Sequence, residues 1–236
     1  MNQKAYYLAQ HAAFGVVTRD DAGESRAQSV VDRYDPLAPV LTQKGVSCVA
    51  TARCLLGATM AECMPLQTEC VVLLDDDVDP SPGALNMLIT SAISSARTGH
   101  PTVYVASYPL RLPTQLPDQP KQVDNRIAHR IAVDGNVSGG LGCIAIPAAL
   151  FRWLHLGDWA PLYSVMDSAP PSTCPYRVGP LHGTWTTEDL YFFSVLRELT
   201  IPSRLLPTVV RHGGRSAAAD WKDLSGRPLP SCLTFE

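Results

Sequence analysis

The stretch Cys70-Val71-Val72-Leu73-Leu74-Asp75-Asp76-Asp77 sets an unbroken apolar run of strand length directly against three carboxylates. A run without polar alternation is buried on both faces, as in a parallel sheet covered by helices on either side. The acids then stand at the carboxyl end of that strand, where open α/β sheets bind their ligands. Adjacent carboxylates repel one another unless solvent or a cation relieves them. A hard divalent ion, Mn²⁺ or Mg²⁺, suits such a place because it takes one or two carboxylates together with phosphate oxygens and water. The plain alternative is a solvated acidic turn before Asp79-Pro80, since aspartate is common in turns.

Upstream, residues 13–18 are short, apolar and β-branched and run into a polar loop, which predicts a first strand ending at Thr18. Residues 47–64 are rich in Ala, Leu, Met and Cys and read as a helix packed on the sheet. Downstream, Ser81-Pro82 opens a helix to about Arg97, with Ser81 as N-cap and Gly99 beyond its end. Residues 102–108 alternate as a strand, and the prolines of 109–124 mark a surface excursion. Residues 139–146 read as one glycine-led strand feeding a helix at Pro147, and 157–185 as a second irregular stretch. Thr186 or Thr187 caps a helix through Leu199, and residues 204–211 form a closing strand that delivers His212 into two glycines. The alternation of strands and helices predicts an α/β fold with a mostly parallel central sheet flanked by helices.

The bulk numbers agree with one domain over residues 1–236, since 46% hydrophobic residues in a chain of this length can bury a sizeable core. A formal net charge of −3 gives no global attraction to nucleic acid or anionic lipid. No apolar run approaches the roughly 18 residues of a membrane span. The first residues lack the basic-then-apolar layout of a secretory signal, so the expected location is cytoplasmic. Seven cysteines without a C-x-x-C pair suit reduced, mostly buried thiols.

Two further segments carry chemistry. In Trp185-Thr186-Thr187-Glu188-Asp189-Leu190, with Thr186 as N-cap, the two acids fall in the first turn of a helix. They either complement the helix dipole or supply a general base, Asp189 first and Glu188 as its alternate. In Val210-Arg211-His212-Gly213-Gly214-Arg215, the imidazole can complete a metal shell while Arg211 and Arg215 neutralise diphosphate oxygens. A lone histidine is otherwise a surface or satisfied core residue.

In order and spacing these segments resemble the GT-A glycosyltransferases, most like glycosyltransferase family 2. Residues 71–77 match that family's strand ending in a D-x-D motif, Glu188-Asp189 its later acid pair, and His212 a metal ligand after the next strand. Residues 45–53 resemble its G-x-S-x-x-x-R helix, with two more residues between Ser47 and Arg53 than that motif and Cys54 in place of the usual asparagine. The family's second strand, which ends in a base-reading aspartate, is not evident between Arg19 and Gly45.

The resemblance implies a Rossmann-like domain with a nucleotide-sugar-binding half over 1–108, an acceptor-binding half over 109–215 and a C-terminal extension over 216–236. It implies a metal held by Asp75, Asp77 and His212. Donor contacts would come from Thr18, Arg53, Asp75, Asp76, Trp185, Arg211 and Arg215, and acceptor contacts from Gly139, Gly140 and Trp185. The expected reaction moves a sugar from a nucleoside diphosphate sugar to a hydroxyl, inverting with Asp189 as base. The acceptor is a glycan, a small molecule or a modified nucleobase. For the last, Arg126, His129 and Arg130 would form a local basic patch, and Trp153, Trp159, Tyr163 and Tyr176 are candidates to stack on a ring. A nucleotidyltransferase would instead carry a glycine-rich basic loop after the first strand, where residues 18–23 offer only Arg19. A non-catalytic nucleotide-sugar or carbohydrate-binding relative is the third reading.

Overall fold

The computed structural model describes residues 11–110, 126–157, 174–181, 184–208, 210–212, 215–216 and 222–229. Its centre is β3 (Cys70–Asp75), flanked in parallel by β1 (Ala12–Thr18) and then β2 (Val40–Lys44). On the other side β8 (Cys143–Pro147) runs antiparallel to β3 and to β5 (Val103–Ala106), and β11 (Ser203–Leu206) closes the edge parallel to β5. The order across this six-stranded sheet is β11-β5-β8-β3-β1-β2.

Alternation within the buried strands sorts the helices into two layers. Ala12, Phe14, Val16, Cys70, Val72 and Leu74 face one cluster with α1 (Asp21–Tyr34) and α3 (Pro82–Arg97). Ala13, Val71 and Leu73 face the other, with α2 (Val49–Cys63), α4 (Ala148–Leu156) and α5 (Glu188–Glu198). Both faces of β3 are therefore covered, which is why its sequence carries no polar alternation. Phe14, Leu85, Phe151 and Phe192 are fully buried, each contributing about 1.5–3 kcal/mol by its removal from water.

α3 keeps its expected bounds, with Ser81 accepting from the Ala84 amide at 3.1 Å and Pro82 in the first turn. Elsewhere the chain departs from expectation. Residues 19–45 contain α1 and β2: Asp20 caps α1 by accepting from Gly23 N at 2.8 Å, and Ala27, Val30 and Val31 form its buried face. Residues 139–146 are not one strand. The chain leaves the hairpin of β6 (His129–Ile131) and β7 (Val137–Gly139), crosses through Gly140, and only then enters β8.

The expected closing strand also divides at Pro207. Its second part, β12 (Val210–His212), joins β4 (Val78–Pro80) and β13 (Arg215–Ser216) in a separate three-stranded sheet. A hairpin of β9 (Gly179–Leu181) and β10 (Thr184–Thr186) occupies the stretch expected to be irregular, so Thr186 lies in a strand. Thr187 is the N-cap of α5, without a side-chain bond to the helix. Cys54 and Cys174 form a disulfide, contrary to the expectation of reduced thiols, while Cys70 and Cys143 are buried and free. Among the described residues no helix is long and apolar enough to cross a membrane.

Candidate functional site

The end of β3 sends three successive carboxylates to three different partners. Both oxygens of Asp75 accept from Arg53 Nη2, at 2.8 and 3.0 Å. Asp76 turns the other way, accepting from Thr18 Oγ1 at 2.7 Å with Arg26 Nη2 at 3.5 Å. Asp77 Oδ2 lies 3.3 Å from His212 Nε2. That last approach follows from the antiparallel register of β12 on β4, which sets His212 opposite Val78.

Arg53, expected beside the nucleotide, is the buried centre of the acid cluster, its side chain only 5% exposed. Nη1 donates to Asp189 Oδ1 at 2.5 Å and to Glu188 Oε1 at 3.2 Å, while Nη2 holds Asp75. Burial alone would push the guanidinium down, but Asp75, Asp189 and Glu188 outweigh it and hold it above its ordinary value. One cation shared among three acids leaves each incompletely paired. Asp189 shows the result: burial pushes its carboxyl up to about 6, Arg53 opposes the rise, and Asp75 and Glu188 add to it.

The His212 ring is oriented by Pro109, whose carbonyl lies 2.8 Å from Nδ1. A carbonyl only accepts, so Nδ1 carries the hydrogen. Nε2 then meets the Asp77 carboxylate either as a protonated nitrogen, in an ion pair, or through a lone pair with a cation beside both. A backbone carbonyl on the second ring nitrogen is also how metal-binding histidines are held. With Nε2 unprotonated, the chemistry of the donor set fits a divalent ion at Asp77 and His212. Among the described residues no group of three or more His, Cys, Asp or Glu surrounds a common point.

These groups open on a cleft of about 390 Å³ lined by Asp75, Asp77, Tyr108, Leu110, Ala128, Gly139, Gly140, Thr187, Asp189, His212 and Leu224, with Val78 and Leu190. Its floor requires glycine twice. Gly139 has φ +140°, and a Cβ there would lie 2.2 Å from the Ala128 carbonyl oxygen; at Gly140 it would lie 2.1 Å from the Tyr108 hydroxyl. Tyr108 Oη accepts from Gly142 N at 2.8 Å, and Gly142 O accepts from Asp75 N at 2.9 Å, so the tyrosine braces the strand end that carries the acids.

The cleft thus gathers Asp75, Asp77, Asp189, His212, Gly139 and Gly140 from distant parts of the sequence. It does not include the other expected residues. Thr18 is buried under Asp76, and Glu188 is held on Arg53. Trp185 is 71% exposed on β10, and Arg211 is exposed on β12. The side chain of Arg215 lies outside the described residues, as do Trp159 and Tyr163. His129 cannot charge a basic patch: it is fully buried, and burial pushes its imidazole down to about 4. Tyr176 is buried against Phe192.

Tyr108 and Leu224 were not foreseen, because their place depends on segments that cross far from them in sequence. Arg26 was missed together with α1, although its turn follows the Asp20 cap. With Arg33, Asp76 and Asp79 it lines a second cleft of about 390 Å³ on the α1 side of the triplet, where Asp77 also appears.

No family model and no curated protein matches the sequence. Some solved structures are similar to this chain at low identity and low TM-score. A 4-diphosphocytidyl-2C-methyl-D-erythritol synthase from Anaerococcus prevotii matches at 9% identity and TM-score 0.46, over 87% of this chain and 89% of that one. A glycosyltransferase involved in glycosylation of the major capsid of PBCV-1 matches at 14% and 0.38, over 85% and 81%. A UDP-glucose pyrophosphorylase, solved with UDP-glucose, matches at 9% and 0.35, over 91% and 76%.

Proposed function

We propose that this chain is a divalent-metal-dependent glycosyltransferase that moves a sugar from a nucleoside diphosphate sugar to a hydroxyl, with inversion. The observation that carries the reading is the convergence on one cleft of two chemically different sets. Asp77 and the Nε2 face of His212 lie 3.3 Å apart and would hold a cation, and Asp189 offers a carboxylate whose affinity for protons is raised to about 6. Asp77 and His212 would hold the ion and Asp75 would stand beside it. The ion, when bound, neutralises the diphosphate as it leaves.

The protein's own residues supply the rest. Asp189 accepts the proton of the acceptor hydroxyl as the oxygen attacks the anomeric carbon, and its raised proton affinity suits a base working near neutral pH. Arg53 keeps Asp189 and Asp75 in fixed relation by bonding both from beneath. Gly139 and Gly140 leave room beside the acids for the acceptor.

The test is a thermal-shift and calorimetric screen of UDP, GDP and CDP with their common sugars, with and without Mn²⁺. One nucleotide diphosphate family should bind only with the metal. Asp77→Asn should abolish that dependence while the fold survives, and His212→Ala should weaken it less, because a neutral imidazole attracts a hard cation less than a carboxylate does. Binding of no nucleotide under either condition would overturn the reading. An unchanged Mn²⁺ titration in the His212 variant would remove that residue from the site.

A further inference from the structure

Resting on the reading above, we infer that the acceptor presents an apolar ring or chain next to its reactive hydroxyl, and that Leu224 is a specificity-determining residue that receives it. One wall of the cleft is built from Leu110, Ala128 and Leu224. They come from three segments joined edge to edge by backbone bonds. Leu110 N donates to Arg126 O at 2.9 Å, Ala128 N to Tyr108 O at 3.0 Å, Ile127 N to Lys222 O at 2.9 Å and Leu224 N to His129 O at 2.6 Å.

The outermost segment is fixed by a carboxylate. Asp223 is 2% exposed. Its Oδ1 accepts from Ser225 N and Arg227 N at 2.9 Å each, and its Oδ2 from Ile131 N at 3.4 Å and Arg227 Nε at 3.2 Å. Leu224 is thus held in the cleft by the turn that Asp223 organises against β6.

Among the described residues the side chains of this wall, Leu110, Ala128 and Leu224, are all apolar. Tyr108 Oη, beside it, accepts from Gly142 N and keeps its own hydrogen to donate. The diphosphate therefore belongs with Asp77 and His212 and the reacting hydroxyl with Asp189, leaving the wall to an apolar surface carried by the acceptor. Discrimination by such a wall is on the order of tenfold or more, the range in which hydrophobic pockets separate substrates by small apolar groups.

The experiment measures binding of paired alcohols to the full chain saturated with Mn²⁺ and the nucleotide diphosphate found above. The pairs are D-glucose with n-octyl β-D-glucoside below its micelle-forming concentration, D-galactose with phenyl β-D-galactoside, and glycerol with its octyl monoether. In at least one pair the apolar member should bind about tenfold or more tighter. Leu224→Asp should remove that preference while nucleotide affinity stays within about twofold of wild type. Leu224→Ala, checked for an unchanged melting temperature, should reduce it partly. No preference in any pair, or a preference that survives Leu224→Asp, would overturn the inference while leaving the metal-dependent nucleotide site standing. Loss of nucleotide binding in the Leu224 variants would assign the wall to the donor instead and would also overturn it. Absence of nucleotide binding in the wild type would bring down the functional reading itself.

Discussion

Asp189 shares the Arg53 guanidinium with Asp75 and Glu188, so the buried cluster sets one positive charge against three negative ones. Its carboxyl, raised to about 6, must be ionised before it can accept a proton. As pH falls through that value, kcat/KM should decline along an acid limb with its midpoint near 6, since kcat/KM reports the free enzyme. A limb near 4, the ordinary carboxylate range, would show that the burial argued for Asp189 does not govern the reaction. Substitution separates the role of base from that of an acid in the first turn of a helix. Asp189→Asn keeps the side-chain shape and removes the proton acceptor, so turnover should fall roughly 10²–10⁴-fold with donor affinity near wild type. If the residue only complements the helix dipole, the change should cost on the order of 1 kcal/mol or less and leave turnover largely intact. Near-normal turnover here with a severe loss in Glu188→Gln would move the role to Glu188. Near-normal turnover in both would sink the inverting mechanism.

At the scale of elements, the acid cluster beside the cleft is the meeting of α2, which carries Arg53, with the end of β3 and the first turn of α5. Arg53→Met should therefore act as a break between elements. It leaves three half-buried acids without their cation, a change that costs less than the roughly 3–5 kcal/mol of breaking a fully buried pair. It also removes the influence that lowers Asp189, so the folded carboxyl of Asp189 would rise further above its unfolded value of about 4. Stability contributed by such a group is lost as pH rises from the unfolded value through the folded one. The deficit measured by urea unfolding should therefore be larger at pH 7.5 than at pH 5, and an equal deficit at both would refute the account. What the sequence discloses at this scale depends on where each signal resides. The bounds of α3 are legible because Ser81, Pro82 and Gly99 act locally. β3 is legible because burial on both faces leaves an unbroken apolar run. α1 and β2 escape notice because α1 buries only a narrow face and β2 is a half-buried edge strand. Asp75, Asp77, Asp189 and His212 are legible as candidates because each sits in or beside the end of an element, where order along the chain predicts a shared crevice. The buried bridging of Arg53 and the wall at Leu224 are not, since both arise from contacts between segments remote in sequence.

Across the whole molecule, the Cys54–Cys174 disulfide links positions 120 residues apart and ties α2, next to Arg53, to the segment that leads into β9 and α5. Tyr176, two residues beyond Cys174, stacks on Phe192 of α5 with ring centroids 5.2 Å apart, so the link enters the same core layer as the acid-bearing helix. Closing a loop of this size restricts the unfolded chain by an amount worth about 4–5 kcal/mol in the chain-entropy account. In a protein of this length each kcal/mol moves the melting temperature by roughly 2–4 °C, so full reduction should lower it by on the order of 10 °C. The double variant Cys54→Ser, Cys174→Ser should start at the lowered temperature and respond no further to reductant. Peptide mapping under non-reducing conditions should recover the two cysteines as one linked pair. Brief alkylation of the native protein should label the exposed Cys48 and Cys63 and spare the buried Cys70 and Cys143 until unfolding. If Cys54 and Cys174 are both alkylated in protein prepared without reductant, the tie is absent in solution, and α2 and α5 are then joined through Arg53 and the aromatic layer without covalent help. A linked pair whose reduction leaves the melting temperature unchanged would instead show that those contacts already confine the segment as tightly as the bond does.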